Sequence, residues 1–124
     1  MRQNNTIAVN RKARFDYDIL DVIEAGIVLT GNEIKSLRQG HISLREVYAK
    51  PESGEVWLIN SHIPHYSSGS IQHSPTRPRK LLLHKDQVRY LSKQVSEKSL
   101  TIVPLKMYFK KHLAKLEVGL AKGR

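Results

Sequence analysis

The pattern of the chain predicts a mainly β protein, a small antiparallel OB-like β-barrel with helices outside it. Three observations carry this expectation. Short apolar runs of strand length recur between turn signals, only two longer segments repeat their apolar residues at helical spacing, and the strand-like stretch after Asp16 changes phase midway. A parallel sheet needs a crossover, usually a helix, between its strands, and two helices are too few. Small barrels instead turn corners with bulges and present one face and its loops to oligonucleotides.

Residues 1–10 are polar and basic and are expected to be loosely attached. From Asp16 to Ile23, Tyr17 and Ile19 share one phase of alternation and Leu20 and Val22 the other, which predicts a bulge or a bend. Ile27, Val28 and Leu29 form an apolar run suited to a buried strand. Thr30 and Glu33 then have the spacing of a capping box, Ile34 and Leu37 share the inner side of the helix that follows, and Gly40 is placed to end it. Val47–Lys50 and Val56–Ile59 flank Pro51–Gly54 and read as a hairpin with a four-residue turn, with Trp57 in the core.

Ser67–Pro78 is rich in Ser, Gly, Pro and His and is long for a connection in a compact domain, so it is expected to be functional or mobile. Arg79–Leu83 reads as a strand. Val88, Leu91 and Val95 recur at helical spacing and give a second amphipathic helix ending near Ser96. The last unit is a hairpin: Met107 and Phe109 alternate with Lys106, Tyr108 and Lys110, and Ala114, Leu116, Val118 and Leu120 alternate with Lys115 and Glu117. Pro104 belongs at an edge or a bulge. The length of 124 residues fits a single domain, 1–124, and 40% apolar content supports one modest core.

Composition narrows the function. With no cysteine, a disulfide framework and a thiolate metal site are excluded, and His62 and His65 alone do not make a closed zinc site. No apolar run approaches the ~20 residues that cross a bilayer, so a cytoplasmic protein without a membrane partner is expected. The net charge is +10. It is uneven: residues 1–15 carry four bases and no acid, residues 16–55 four against eight, residues 56–97 six against two, and residues 98–124 seven against one. Both ends and the middle are basic, a distribution suited to a polyanion such as RNA.

Several constellations fit that partner. Asn10–Arg14 sets Arg11, Lys12 and Arg14 beside Phe15 and Tyr17; the bases suit phosphates, and the aromatics are expected in the core. Two prolines hold Pro75–Lys80 extended, so Arg77 and Arg79 project to one side and Lys80 to the other. Lys106, Tyr108 and Lys110 make a basic ladder with an aromatic rung on the last hairpin, and Lys122 and Arg124 follow that hairpin. Asp16, Asp18, Asp21 and Glu24 form an acidic cluster that raises a divalent-dependent nuclease as a rival, but nothing nearby supplies a base or a positioned nucleophile. No catalytic site and no cofactor are expected.

The segment Glu24–Gly40 (EAGIVLTGNEIKSLRQG), with Asn10–Arg14 (NRKAR) upstream and Pro75–Leu83 (PTRPRKLLL) downstream, resembles the SmpB family, the SsrA-binding proteins of bacterial trans-translation. The likeness covers nearly the whole chain. It implies an OB-like barrel with about three flanking helices and a non-catalytic RNA-binding protein. Its partners would be the tRNA-like domain of tmRNA and the stalled ribosome, with alanyl-tRNA synthetase and elongation factor Tu supplying the chemistry, and it would act as a monomer. Carried over by position, the implied RNA contacts are Asn10, Arg11, Lys12, Glu24, Gly26, Lys35, Arg38, Arg79, Lys80 and Leu82, with His84 where some members have Asn. The residues themselves add Arg14, Arg77, Lys106, Lys110 and Lys122. Members of the family continue beyond the position of Arg124 into a long basic tail, and the resemblance implies that tagging on ribosomes needs it. The alternative is a general OB-type RNA-binding or ribosome-associated protein.

Overall fold

Buried and exposed side chains alternate along the strands, and this alternation builds the architecture. The structure, a computed structural model, describes residues 5–40, 42–66 and 74–124. Its elements run β1 (Thr6–Val9), α1 (Ala13–Asp16), β2 (Tyr17–Ile27), α2 (Gly31–Arg38), β3 (Tyr48–Glu52), β4 (Glu55–Ile59), β5 (Arg79–Leu82), α3 (Lys85–Lys98), β6 (Thr101–Lys110) and β7 (Leu113–Gly123). All pairings are antiparallel, in the order β1-β6-β3-β4-β5-β2-β7, and β6 also pairs with β7. The circuit β6-β3-β4-β5-β2-β7 therefore returns to β6, as an OB-like barrel requires, and β1 is added outside it.

The seams are unequal. β2, β7 and β6 are zipped along most of their lengths, whereas β3 meets β6 at one register pair, Ala49 with Ile102. Inside the circuit, Val56, Leu58, Leu81, Ile102, Met107, Leu116 and Val118 are buried, and Leu37 of α2 and Leu91 of α3 pack onto them. A second cluster, Ala13, Val103, Leu105 and Ala121, seats α1 on another part of the sheet.

Two bulges bend the long strands. Leu20 is the extra residue between Ile19, opposite Ala121, and Asp21, opposite Leu120, where the sequence changes phase. Leu105 is the second, between Pro104, opposite Val118, and Lys106, opposite Glu117. Proline has no N–H to give a ladder, so the break in register falls beside it. Gly119 lies under both: a side chain there would meet Ile19 Cγ2 and Leu105 Cδ1 at 3.1 Å.

The capping box forms as spaced. Thr30 Oγ1 accepts from Glu33 N at 3.1 Å, and Glu33 Oε1 accepts from Thr30 N at 3.0 Å. Gly40, at φ 77°, follows the helix and donates its N–H to Leu37 O at 2.8 Å.

Some expectations are corrected. Thr6–Val9 is not loose but pairs with β6, because the ladder partner lies almost a hundred residues away in sequence; residues 1–4 lie outside the described residues. The β3–β4 turn has two residues, Ser53 and Gly54, both at positive φ, since Pro51 and Glu52 continue the strand. Trp57 is only half-buried: Val56 and Leu58 face inward, and period two turns Trp57 out. α3 runs to Lys98, and Ser99 at φ 53° ends it. Of the expected long loop, residues 67–73 lie outside the described residues.

The inward side of β5 carries an exception to the apolar core. Arg79 is fully buried, so the expected phosphate contact does not hold for it; no part of its surface reaches solvent. Its Nε and Nη2 donate to Glu33 Oε2 at 3.0 and 2.6 Å, Nη2 also to Pro75 O at 3.0 Å, and Nη1 to Ser61 O and Oγ at 2.9 Å and to Arg77 O at 3.1 Å. Arg77 donates to the same carboxylate, Nε to Oε2 at 3.1 Å and Nη2 to Oε1 at 2.7 Å. Glu33 thus caps α2 and fastens the Pro75–Arg79 segment to it. Burial raises the Glu33 carboxyl, but hydrogen bonds from Arg77, Arg79 and the Thr30 N–H outweigh it and hold the group below its ordinary 4.5.

Removing one member of a buried pair leaves the other charge without compensation. Glu33→Ala is expected to cost about 3–5 kcal/mol in urea unfolding. Arg79→Met should cost less, because Glu33 keeps Arg77 as partner; equal or negligible losses would contradict the arrangement. Folding favours ionised Glu33, so its contribution is complete above about pH 4.5 and is lost as pH falls through the depressed folded value. Denaturation measured between about pH 7 and pH 3 should show an acid-side loss in the natural chain that Glu33→Gln lacks.

Candidate nucleic-acid interface

Cross-strand partners share a face of a sheet, so register alone assembles the outer surface of β6, β7, β2 and β5. One row runs Lys106, Glu117, Glu24; the next runs Tyr108, Lys115, Gly26, Leu82. Their neighbours Met107, Leu116, Ala25 and Leu81 fill the inner face. Lys80 follows Leu82 on the outside of β5, paired in register with Trp57, and its Nζ lies 3.3 Å from Glu55 Oε2. Glu24, Gly26, Lys80, Leu82, Lys106 and Lys110, distant in sequence, therefore come onto connected outer strands.

Glu24 is the centre of this face. The Tyr108 hydroxyl donates to its Oε2, and Lys110 Nζ lies 3.5 Å from Oε1. Lys106 Nζ sits 5.6 Å from the centre of the Tyr108 ring, within cation–π range. The Tyr108 bond, aided by Lys110 and Lys115, holds the Glu24 carboxyl below its ordinary range against some desolvation. Burial and the bond to Glu24 raise Tyr108 well above the usual phenol, so it remains a donor. Gly26 has a steric role: a Cβ there would meet Leu82 Cβ at 3.2 Å, so the bare backbone lets Leu82 lie across it while 53% exposed.

The remaining candidates lie elsewhere on the fold. Asn10 is an anchor: its Nδ2 donates to Pro104 O at 2.9 Å and its N–H to Leu105 O at 2.9 Å. That clamp holds the start of α1, from which Arg11, Lys12 and Arg14 are exposed. Phe15 is 77% exposed, contrary to the expectation that it enters the core; one turn of helix turns it away, and of the two aromatics it is Tyr17 that packs, with Ile19, on the second cluster. Lys122 pairs in register with Asp18, whose carboxylate takes Arg124 Nε at 3.0 Å. Asp21 accepts from Tyr90 at 3.0 Å. Among the described residues no three His, Asp or Glu side chains gather as a metal site would require.

On α2, Lys35 and Arg38 lie over aromatic rings, Lys35 Nζ 5.8 Å from the centre of Tyr66 and Arg38 Cζ 5.4 Å from that of Phe109. Tyr66 is tied to the same helix, its N–H donating to Asn32 Oδ1 at 2.8 Å. Arg77 is partly exposed beside Glu33, and exposed His84 precedes α3, its N–H capped by Gln87 Oε1 at 2.9 Å. Sequence reading missed Glu33 as the partner of both arginines and Tyr66 as the partner of Lys35. The bond from Tyr108 to Glu24 was also missed, although alternation had already placed Tyr108 between Lys106 and Lys110. Cations, partly exposed rings and the paired Glu24 and Glu117 carboxylates on an outer sheet suit unstacked RNA better than duplex grooves.

Residues 7–124 match the model of the SmpB protein family. The SsrA-binding protein of Ligilactobacillus salivarius (strain UCC118) is 51% identical over 123 residues, covering 98% of this chain and 79% of that protein. The SsrA-binding protein of Carboxydothermus hydrogenoformans is 54% identical over 119 residues, covering 95% and 80%. A solved structure described as "tmRNA-SmpB: a journey to the center of the bacterial ribosome" superposes with a TM-score of 0.74 at 49% identity, over 93% of this chain and 82% of that one. With the family model spanning nearly all of its length, the chain belongs to the SmpB family.

Proposed function

We infer that this chain is an RNA-binding protein that binds tmRNA and acts with it on the ribosome in trans-translation. The observation that carries the reading is the match of residues 7–124 to SmpB, joined to a solved relative, at 49% identity, whose description names tmRNA–SmpB and the bacterial ribosome. We extend it to the tRNA-like domain of tmRNA as the RNA element bound, recognised chiefly by the outer face around Glu24, Gly26, Lys80, Leu82, Lys106 and Lys110. Arg11, Lys12, Arg14, Lys35, Arg38, Arg77, His84 and Lys122 contribute further contacts, with Asn10 and Arg79 holding their neighbours in place. The scaffold does no covalent chemistry in this reading. It is a single domain acting as a monomer in the cytoplasm, and alanyl-tRNA synthetase and elongation factor Tu are its functional associates.

The +10 net charge favours a second reading, a general RNA binder that selects by charge alone. Competition among the tRNA-like domain, an ordinary tRNA and a single strand of similar length, run at several salt concentrations, separates the two. Preference for the tRNA-like domain that persists as salt rises supports the first reading; equal affinities support the second. Lys35→Ala with Arg38→Ala is expected to weaken all three RNAs and to reduce the salt slope by about one for each phosphate that is no longer neutralised. Gly26→Ala should instead lower preference for the tRNA-like domain without changing the salt slope, because it displaces Leu82 and removes no charge. Intact RNA after incubation with magnesium or manganese is expected; cleavage abolished by Asp16→Ala or Asp18→Ala would favour a nuclease.

A further inference from the structure

A carboxylate on this face is not explained by phosphate binding, since Glu24, like its register partner Glu117, repels the polyanion that Lys106, Lys110 and Lys115 attract. Its hydrogen-bonding capacity suggests another task. An ionised carboxylate is an acceptor only, with about four lone-pair directions on its two oxygens. The Tyr108 hydroxyl occupies one at Oε2, and Lys110 Nζ, 3.5 Å away, faces one at Oε1. One acceptor direction on each oxygen remains, on a side chain that is 40% exposed. The carboxylate is held rather than free: the Tyr108 ring is fixed in β6 and backed by Lys106 at 5.6 Å. Glu24 stays ionised and Tyr108 stays protonated across the neutral range, so the pair keeps this polarity.

Two adjacent acceptors select among the bases by chemistry. The Watson–Crick edge of guanine offers two neighbouring donors, N1–H and the 2-amino group. Adenine and cytosine each set one amino donor beside a ring nitrogen that would meet the second carboxylate oxygen lone pair to lone pair. Uracil has one N–H between two carbonyls. We propose that Glu24 reads an unpaired guanine through N1–H and the 2-amino group, with Tyr108 as the positioning residue that aims the carboxylate. The inference rests on the chain being an RNA binder and deepens that reading by naming a base.

Inosine is guanine without the 2-amino group and isolates the proposed contact. Two probe pairs are used with the full chain: an oligouridine strand carrying one guanine or one inosine, and the tRNA-like domain with its unpaired guanines kept or replaced by inosine. The natural chain is expected to lose at least about fivefold in affinity on each replacement, at the lower end of what a bidentate base contact discriminates. Glu24→Gln and Tyr108→Phe should bind guanine and inosine probes alike, while the melting temperature and salt slope of Tyr108→Phe stay at the natural values. Equal binding of both probes by the natural chain overturns the proposal, and natural discrimination by Tyr108→Phe overturns the positioning role. Guanine discrimination in the oligouridine pair without preference for the tRNA-like domain over tRNA would support guanine reading and sink the tmRNA assignment. Preference for the tRNA-like domain without an inosine effect would do the reverse.

Discussion

Closure of the strand circuit leaves each side chain two directions, into a small core or out to solvent. Everything else in the molecule follows from that restriction. Ala25, Leu81, Met107 and Leu116 take the inside, and the residues beside them, Glu24, Leu82, Tyr108 and Lys115, must then take the outside. Because a one-residue slip would exchange these two sets, the apolar core also fixes the register of the proposed recognition face. The bulges at Leu20 and Leu105 let the long strands bend to close without breaking that correspondence after Asp21 or Lys106.

Two glutamates show how the same group serves opposite ends under this constraint. Glu33 lies inside, where its charge is tolerable because Arg77, Arg79 and the Thr30 N–H surround it. It joins a helix start to a Pro-rich segment and so holds the β5 strand entrance, from which Lys80 and Leu82 emerge. Glu24 lies outside, where a carboxylate among lysines is left with acceptors to spare. One organises the surface and the other is the group proposed to face a partner. Gly26 and Leu82 complete the second arrangement, since the missing Cβ lets an apolar side chain lie beside the carboxylate strand.

Much of this was legible in the residues. The phase change at Leu20 marked a bulge or bend, Pro104 an edge or bulge, and Thr30 with Glu33 the start of α2, because each is a local signal; the structure has a bulge at both of the first two. Trp57 was misjudged because its size was weighed above its parity; Val56 and Leu58 already occupied the inward phase. Arg79 was misjudged for the opposite reason, its charge outweighing a parity it shares with Leu81. Its compensating partner is 46 residues away, and no spacing rule reaches that far. The pairing of Tyr108 with Glu24 spans 84 residues and was hidden in the same way. Thr6–Val9 has no periodicity of its own to reveal a strand, and becomes one because β6 offers an edge.

The central claim is that the outer surface of β2, β5, β6 and β7 around Glu24 is where this chain meets a folded RNA. Amide chemical-shift mapping during titration with the tRNA-like domain tests it most directly, since backbone signals report location without any substitution. The account predicts that the largest changes fall on Glu24, Gly26, Leu82 and Tyr108, with smaller ones along α1 and α2. Changes concentrated on the exposed side of α3, around Arg89 and Lys93, with Glu24 and Tyr108 unmoved, would contradict it.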